Sequence, residues 1–113
     1  MNGPLTTHIL DTARGCPAAG VPVDLEQLTD DGWSVLRRGV TNDDGRIPGF
    51  TAGLALEVST YRMVFDTDAY FASTQTEAFY PVVRVVFVVR DPSSHHHVPL
   101  LLSPYGYSTY RGS

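Results

Sequence analysis

The chain has 113 residues, 42% hydrophobic and 18% charged, with a net charge of -4. That length fits one domain spanning 1–113, able to bury roughly two-thirds of its unfolded surface, and the composition excludes a disordered chain. Its eight basic residues are dispersed, so a nucleic-acid partner is not expected, and no apolar run is long enough to cross a bilayer, so neither is a membrane. Cys16 is the one cysteine, which rules out an intrachain disulfide and permits a reducing compartment. The opening Met1-Asn2-Gly3-Pro4 lacks the charged and apolar regions of a secretion signal. Cytoplasm is the expected setting.

In chain order, Leu5 to Asp11 reads as a first strand and Arg14 to Gly20 as the turn after it. Val21 to Leu28 alternates apolar and polar residues, the period of a half-buried strand. Thr29-Asp30-Asp31-Gly32 signals a hairpin into Trp33 to Leu36. Asn42-Asp43-Asp44-Gly45 marks another turn, with Arg46 directly behind it. Leu54 to Phe65 is the longest extended candidate, and Asp66 is placed to cap a short helix over Thr67 to Thr74. Pro81 stops any continuation of that helix. Val82 to Arg90 is β-branched almost throughout and reads as a central strand. After a turn at Asp91 to Ser94, His95 to Ser103 and Tyr105 to Arg111 are the closing strands.

Seven or eight short strands with one brief helix predict an all-β fold, an antiparallel sandwich of the prealbumin or immunoglobulin kind. Aromatic and β-favouring residues continue to the last residues, so that end is expected to be packed and used. Tyr105 to Tyr110 carries no charge and no internal proline. As an edge it would invite another chain, and pairing through a two-fold axis predicts a homodimer or larger assembly.

Four histidines are the candidate chemistry. On a strand His95 and His97 share a face and His96 takes the other. A metal site would draw on His95, His97 and His8, yet no cysteine or nearby acidic residue completes a shell, so a metal-free site is favoured. The alternative is acid–base chemistry by imidazole near neutral pH. Taken singly, His8 suits a strand position satisfied by a carbonyl, and Arg46 suits a solvated strand start. The tight Asp44-Gly45 turn would equally aim Arg46 into a cleft. Tyr107 to Tyr110 fit a pocket wall or an interface strand. Cys16, the Asp43-Asp44 pair and Ser103 lack the surroundings that a nucleophile or an acid–base pair needs.

The closing Leu100-Leu101-Leu102-Ser103-Pro104-Tyr105-Gly106-Tyr107-Ser108-Thr109-Tyr110-Arg111-Gly112-Ser113 strongly resembles the transthyretin family, and within it the 5-hydroxyisourate hydrolases. The family's two branches share Leu-Leu-Ser-Pro-Tyr and Tyr-Ser-Thr, and the Tyr-Arg-Gly-Ser end belongs to the hydrolases. Thr7-His8-Ile9-Leu10-Asp11, Asn42-Asp43-Asp44-Gly45-Arg46 and His95-His96-His97-Val98-Pro99-Leu100 are similar to three further segments of that branch, in the same order. His96 departs from the usual aromatic between the two histidines, and Val82 from a frequent acidic residue.

The resemblance implies a transthyretin/prealbumin-like fold and a homotetramer built as a dimer of edge-paired dimers, with sites in the channel between them. It implies opening of the six-membered ring of 5-hydroxyisourate, a small purine-derived substrate of urate breakdown, by lactam hydrolysis. His8 and His97 would activate water and deliver the proton, and Arg46 would hold carbonyls and stabilise the oxyanion. Tyr110 and Ser113 would join His8 and Arg46 in binding substrate. No metal or organic cofactor is implied. The competing reading is a non-catalytic carrier holding an aromatic ligand in the same channel.

Overall fold

The computed structural model describes residues 3–113; Met1 and Asn2, part of the opening segment read above for a secretion signal, lie outside the described residues. Two four-stranded sheets pack face to face. One is ordered β2 (Cys16–Pro17), β1 (Leu5–Asp11), β7 (His96–Ser103), β8 (Gly106–Thr109). The other is ordered β4 (Gly32–Val40), β3 (Pro22–Thr29), β5 (Ser59–Phe65), β6 (Val83–Val89), and one helix, α1 (Thr67–Ser73), follows β5. The described residues thus form a β-sandwich of eight strands.

Alternation along each strand builds the core. Leu5 and Ile9 of β1, Val98, Leu100 and Leu102 of β7, Val23 and Leu25 of β3, and Tyr61, Met63 and Phe65 of β5 are all buried between the sheets. At α1 the Asp66 carboxylate accepts from the Ala69 amide at 3.1 Å, the cap expected from its position. Asp11 closes the buried face of β1. Its carboxylate accepts from the amides of Ala13 and Arg14 and, at 2.6 Å, from the buried Tyr70 hydroxyl. Burial first, and then this bond to Asp11, push the Tyr70 hydroxyl up to about 12, so it stays a donor.

The structure departs from the sequence reading at four places. The β1–β7 pair is parallel, in register from Leu5 opposite His96 to Asp11 opposite Leu102, while the other strand pairs are antiparallel. The long extended segment contributes a strand only from Ser59; before it, the Glu57 amide bonds the Tyr61 hydroxyl at 2.8 Å instead of a ladder carbonyl. The valine-rich strand β6 is an edge, not a centre: Val83 and Val89 are buried, but Val86 and Val88 are exposed. Finally, the end of the chain is tied down by hydrogen bonds yet not packed in a single subunit. There Tyr105, Tyr107 and Tyr110 remain exposed on and beside the edge strand β8.

Candidate active site

Parallel pairing of β1 with β7 sets Thr6 opposite His97 and His8 opposite Pro99. Leu5, Thr7 and Ile9 are buried, so Thr6 and His8 stand on the outer face, and His97 stands there too because Val98 and His96 are buried. His96 turns inward, and its Nδ1 donates to the Ser94 carbonyl at 2.9 Å, since a carbonyl can only accept. One imidazole from each of two strands distant in sequence thus shares one surface.

Arg46 reaches that surface through its turn. The Asn42 side-chain oxygen accepts from the amides of Asp44 (2.9 Å) and Arg46 (3.1 Å), while the Gly45 amide bonds the Asn42 carbonyl. Gly45 has a φ of 72° and lies so close to β1 that a Cβ would strike the Ile9 carbonyl oxygen. Its own carbonyl accepts from the Ile9 amide at 2.9 Å. The turn is thereby stitched to β1 next to His8.

Arg46, His97 and Ser113 line one concavity of about 420 Å³, together with Thr6, His95 and Asn42. His8 lies beside it, near enough that its charge disfavours protonation of His97. Tyr110 does not reach it in a single subunit: it lines a separate groove with Phe87 of β6 and Thr109 of β8. Among the described residues, no group of three or more His, Cys, Asp or Glu side chains is arranged to hold a metal ion, so the three-histidine set does not form one.

The His97 ring is held on two sides. Its Nδ1 lies 2.8 Å from Thr6 Oγ1, and that same hydroxyl lies 3.0 Å from His95 Nε2. On the other side the terminal segment bridges antiparallel to His97, with the Gly112 amide donating to the His97 carbonyl at 2.8 Å. A Cβ on Gly112 would lie 3.1 Å from His97 Cγ and closer still to Cδ2, so only glycine fits flat against the ring. Arg111 donates to the His95 carbonyl at 3.2 Å and clamps the loop carrying that histidine. Partial burial first, then the Arg46 guanidinium and the neighbouring His8 and His95, lower the His97 pKa; a hydrogen bond with the Thr6 backbone acts the other way. A neutral imidazole near pH 7 is the result.

Thr6, Arg111 and Gly112 are parts of this site that residue types did not reveal. Thr6 carried a signal in its place two residues before His8 on an alternating strand. Gly112 is marked only by its place in the Tyr-Arg-Gly-Ser end, because its need for a bare Cα depends on a pairing fifteen residues away in sequence.

Residues 5–112 match the HIUase/Transthyretin family. The chain belongs to that family. It is 48% identical over 112 residues to a curated relative from Salmonella dublin named 5-hydroxyisourate hydrolase, covering 99% of this chain and 82% of the relative. This family member also resembles the solved Klebsiella pneumoniae 5-hydroxyisourate hydrolase, with a TM-score of 0.84, 40% identity, and coverage of 96% and 98% of the two chains. Sea bream transthyretin in complex with thyroxine matches it with a TM-score of 0.89 and 36% identity over 96% and 94% of the chains. The fold alone therefore does not separate the two branches of the family, and the side chains must.

Proposed function

We propose that this chain is a hydrolase that opens the six-membered ring of 5-hydroxyisourate in urate breakdown. The observation that carries the reading is the meeting of Arg46 and His97 in one concavity, with His8 beside them, in a chain 48% identical to a relative named for that activity. Water adds its oxygen to the lactam carbonyl carbon, its proton passes to an imidazole, and the C–N bond breaks as the nitrogen takes a proton. Net, one C–O and one N–H bond form. His97, kept neutral by burial and by Arg46, suits the proton-accepting role, and His8 stands on the same face to share proton delivery. Arg46 offers its planar fork of donors to substrate carbonyls and to the developing oxyanion. Ser113, at the wall of the concavity, positions the substrate. Every group this mechanism uses is a side chain of the protein, so no cofactor is part of it.

The working assembly in this reading is a homotetramer of single-domain chains, 1–113, in the cytoplasm. Two features support the assembly. The exposed valines of β6 and the uncharged strand β8 are both sheet edges, and residues of both line one groove, so they open on the same side. Pairing there would cover Tyr110, which a single subunit leaves in the open. Light scattering should return four times the 12.4 kDa of one chain, and a monomer at micromolar concentration would refute the assembly.

The ultraviolet decay of freshly generated 5-hydroxyisourate, with and without protein, tests the activity. His97→Asn should slow the catalysed decay by about 10²–10⁴-fold, the usual worth of a positioned acid–base group. Arg46→Ala should cost about 10²-fold, as for loss of an oxyanion donor. Wild-type rates in both variants would end the proposal. The likeness to a thyroxine-bound transthyretin favours a second reading, a carrier of aromatic ligands. That reading requires thyroxine-like compounds to bind and 5-hydroxyisourate to decay at its uncatalysed rate.

A further inference from the structure

Thr6 stands between two imidazoles and has a single proton to give. Its Oγ1 is 2.8 Å from His97 Nδ1 and 3.0 Å from His95 Nε2, both within hydrogen-bonding reach. A hydroxyl can donate to one of these nitrogens only, and must accept from the other. When both rings are neutral they therefore cannot choose their tautomers independently. If Thr6 donates to His95 Nε2, it accepts from His97 Nδ1–H, and the lone pair of His97 sits on Nε2. If it donates to His97 Nδ1 instead, His97 carries its proton on Nε2 and has no lone pair left for water.

We propose that Thr6 is a positioning residue which, with His95 as its proton acceptor, holds His97 in the Nδ1–H tautomer and so makes Nε2 the base. This rests on the hydrolase reading of the same concavity. Three observations support the direction of the chain. First, the Gly112 segment closes the Cδ2 side of the ring and Thr6 the Nδ1 side, so the ring cannot flip to exchange its nitrogens without breaking both contacts. Second, the orientation His97 Nδ1–H to Thr6 to His95 stays satisfied when Nε2 accepts a proton, because an imidazolium donates from both nitrogens; the opposite orientation does not. Third, His95 is exposed, so its own Nδ1 can keep its proton in contact with solvent while Nε2 serves as the acceptor. Arg111, bonded to the His95 carbonyl, fixes the backbone that presents this acceptor.

The charged and titratable groups around His97 are His8 on β1, Asp44 and Arg46 on the turn, and His95 and Arg111 on the segments flanking it. None of these carboxylate or cationic groups bonds Nδ1 of His97. The orienting role that a carboxylate performs in a hydrolase triad falls here to Thr6, through its hydroxyl and a backbone hydrogen bond, and to a second imidazole.

Nitrogen-15 NMR of the histidine rings at a pH where His97 is neutral reads the tautomer directly, in the wild-type chain and without any reaction. The expected spectrum shows His97 protonated on Nδ1 and bare on Nε2; protonation on Nε2 would overturn the proposal whatever the activity. Thr6→Val removes the hydroxyl and keeps the shape. It should lower kcat by about 10–10²-fold with KM within about threefold, since a lost orienting bond acts on the transition state more than on binding. The same variant should shift the His97 spectrum toward Nε2–H, and Thr6→Ser should restore both. A Thr6→Val rate within twofold of wild type would refute the proposal. Absence of activity in the wild type would instead refute the hydrolase reading while leaving the spectrum as the judge of the tautomer.

Discussion

Gly112→Ala isolates the terminal segment's hold on His97. Gly112 does not have a positive φ, so alanine meets no backbone strain there, and the whole effect must come from the added methyl group. That methyl would lie 3.1 Å from His97 Cγ, 3.3 Å from its Cβ and nearer still to Cδ2, where carbon pairs prefer roughly 3.5–4.0 Å. Either the ring or the segment must move by about 1 Å, and a displacement of that size at a reacting group can cost about 10²-fold. We expect kcat/KM to fall by about 10–10²-fold, equivalent to about 1.4–2.7 kcal/mol of transition-state stabilisation. Stability should change by less than about 1 kcal/mol, because the bridge lies at the sheet's periphery rather than in the core. The decay assay and a urea titration on the same preparation measure the two quantities. Gly106→Ala is the matched control: its methyl would sit 3.7 Å from Ser103 Oγ, an ordinary contact, so its rate should stay near wild type. A Gly112→Ala enzyme within twofold of wild type would refute the steric argument.

Two further outcomes follow from the electrostatics. His97 has its pKa lowered below 6.5 by burial and then by Arg46, so between those values the unfolded chain binds the extra proton and the native one does not. Stability should therefore rise as pH climbs through that window and fall as pH drops from about 6.5, with activity lost on the same acid side. NMR titration of His97 should show a midpoint below 6.5 that rises in Arg46→Gln, and an unmoved midpoint would contradict the assigned cause. Tyr70→Phe should destabilise by about 1–3 kcal/mol, because it leaves Oδ2 of the buried Asp11 without its donor. The denaturant midpoint should drop with an unchanged slope, and a loss under about 0.5 kcal/mol would mean that water replaces the hydroxyl.

What the sequence made legible was periodic or local. Alternation alone put His95 and His97 on one face and His96 on the other, and the shared Thr6 contact and the inward turn of His96 follow that pattern. The Asp44-Gly45 turn announced itself by composition, and it does carry Arg46 into the concavity. Partner choice was not legible. Nothing in Leu5 to Asp11 specifies a parallel neighbour, because strand pairing is decided by which apolar faces meet across the sandwich. The same limit applies to β6, whose run of β-branched residues reads as a central strand although it lies at the edge of its sheet. In one subunit its outer side has nothing against it, and the proposed pairing of subunits supplies a cover.

The core and the site are two faces of the same pair of strands, and this ties activity to packing. Leu5, Ile9, Val98 and Leu100 turn inward because the intervening residues turn outward, so apolar burial itself aims Thr6, His8 and His97 at solvent. A slip of one residue between β1 and β7 would exchange the two faces of one strand. It would drive His97 into the core and bring His96 and Val98 out, losing the burial of a valine and a leucine row at about 25 cal/mol per Å². The Thr7 hydroxyl guards against this from the core side, donating to the Val98 carbonyl at 2.6 Å. Removing it with Thr7→Val should loosen the register that sets His97 opposite Thr6. Its effect on rate should then travel with the loss of stability, unlike Gly112→Ala, where the rate falls and the fold holds.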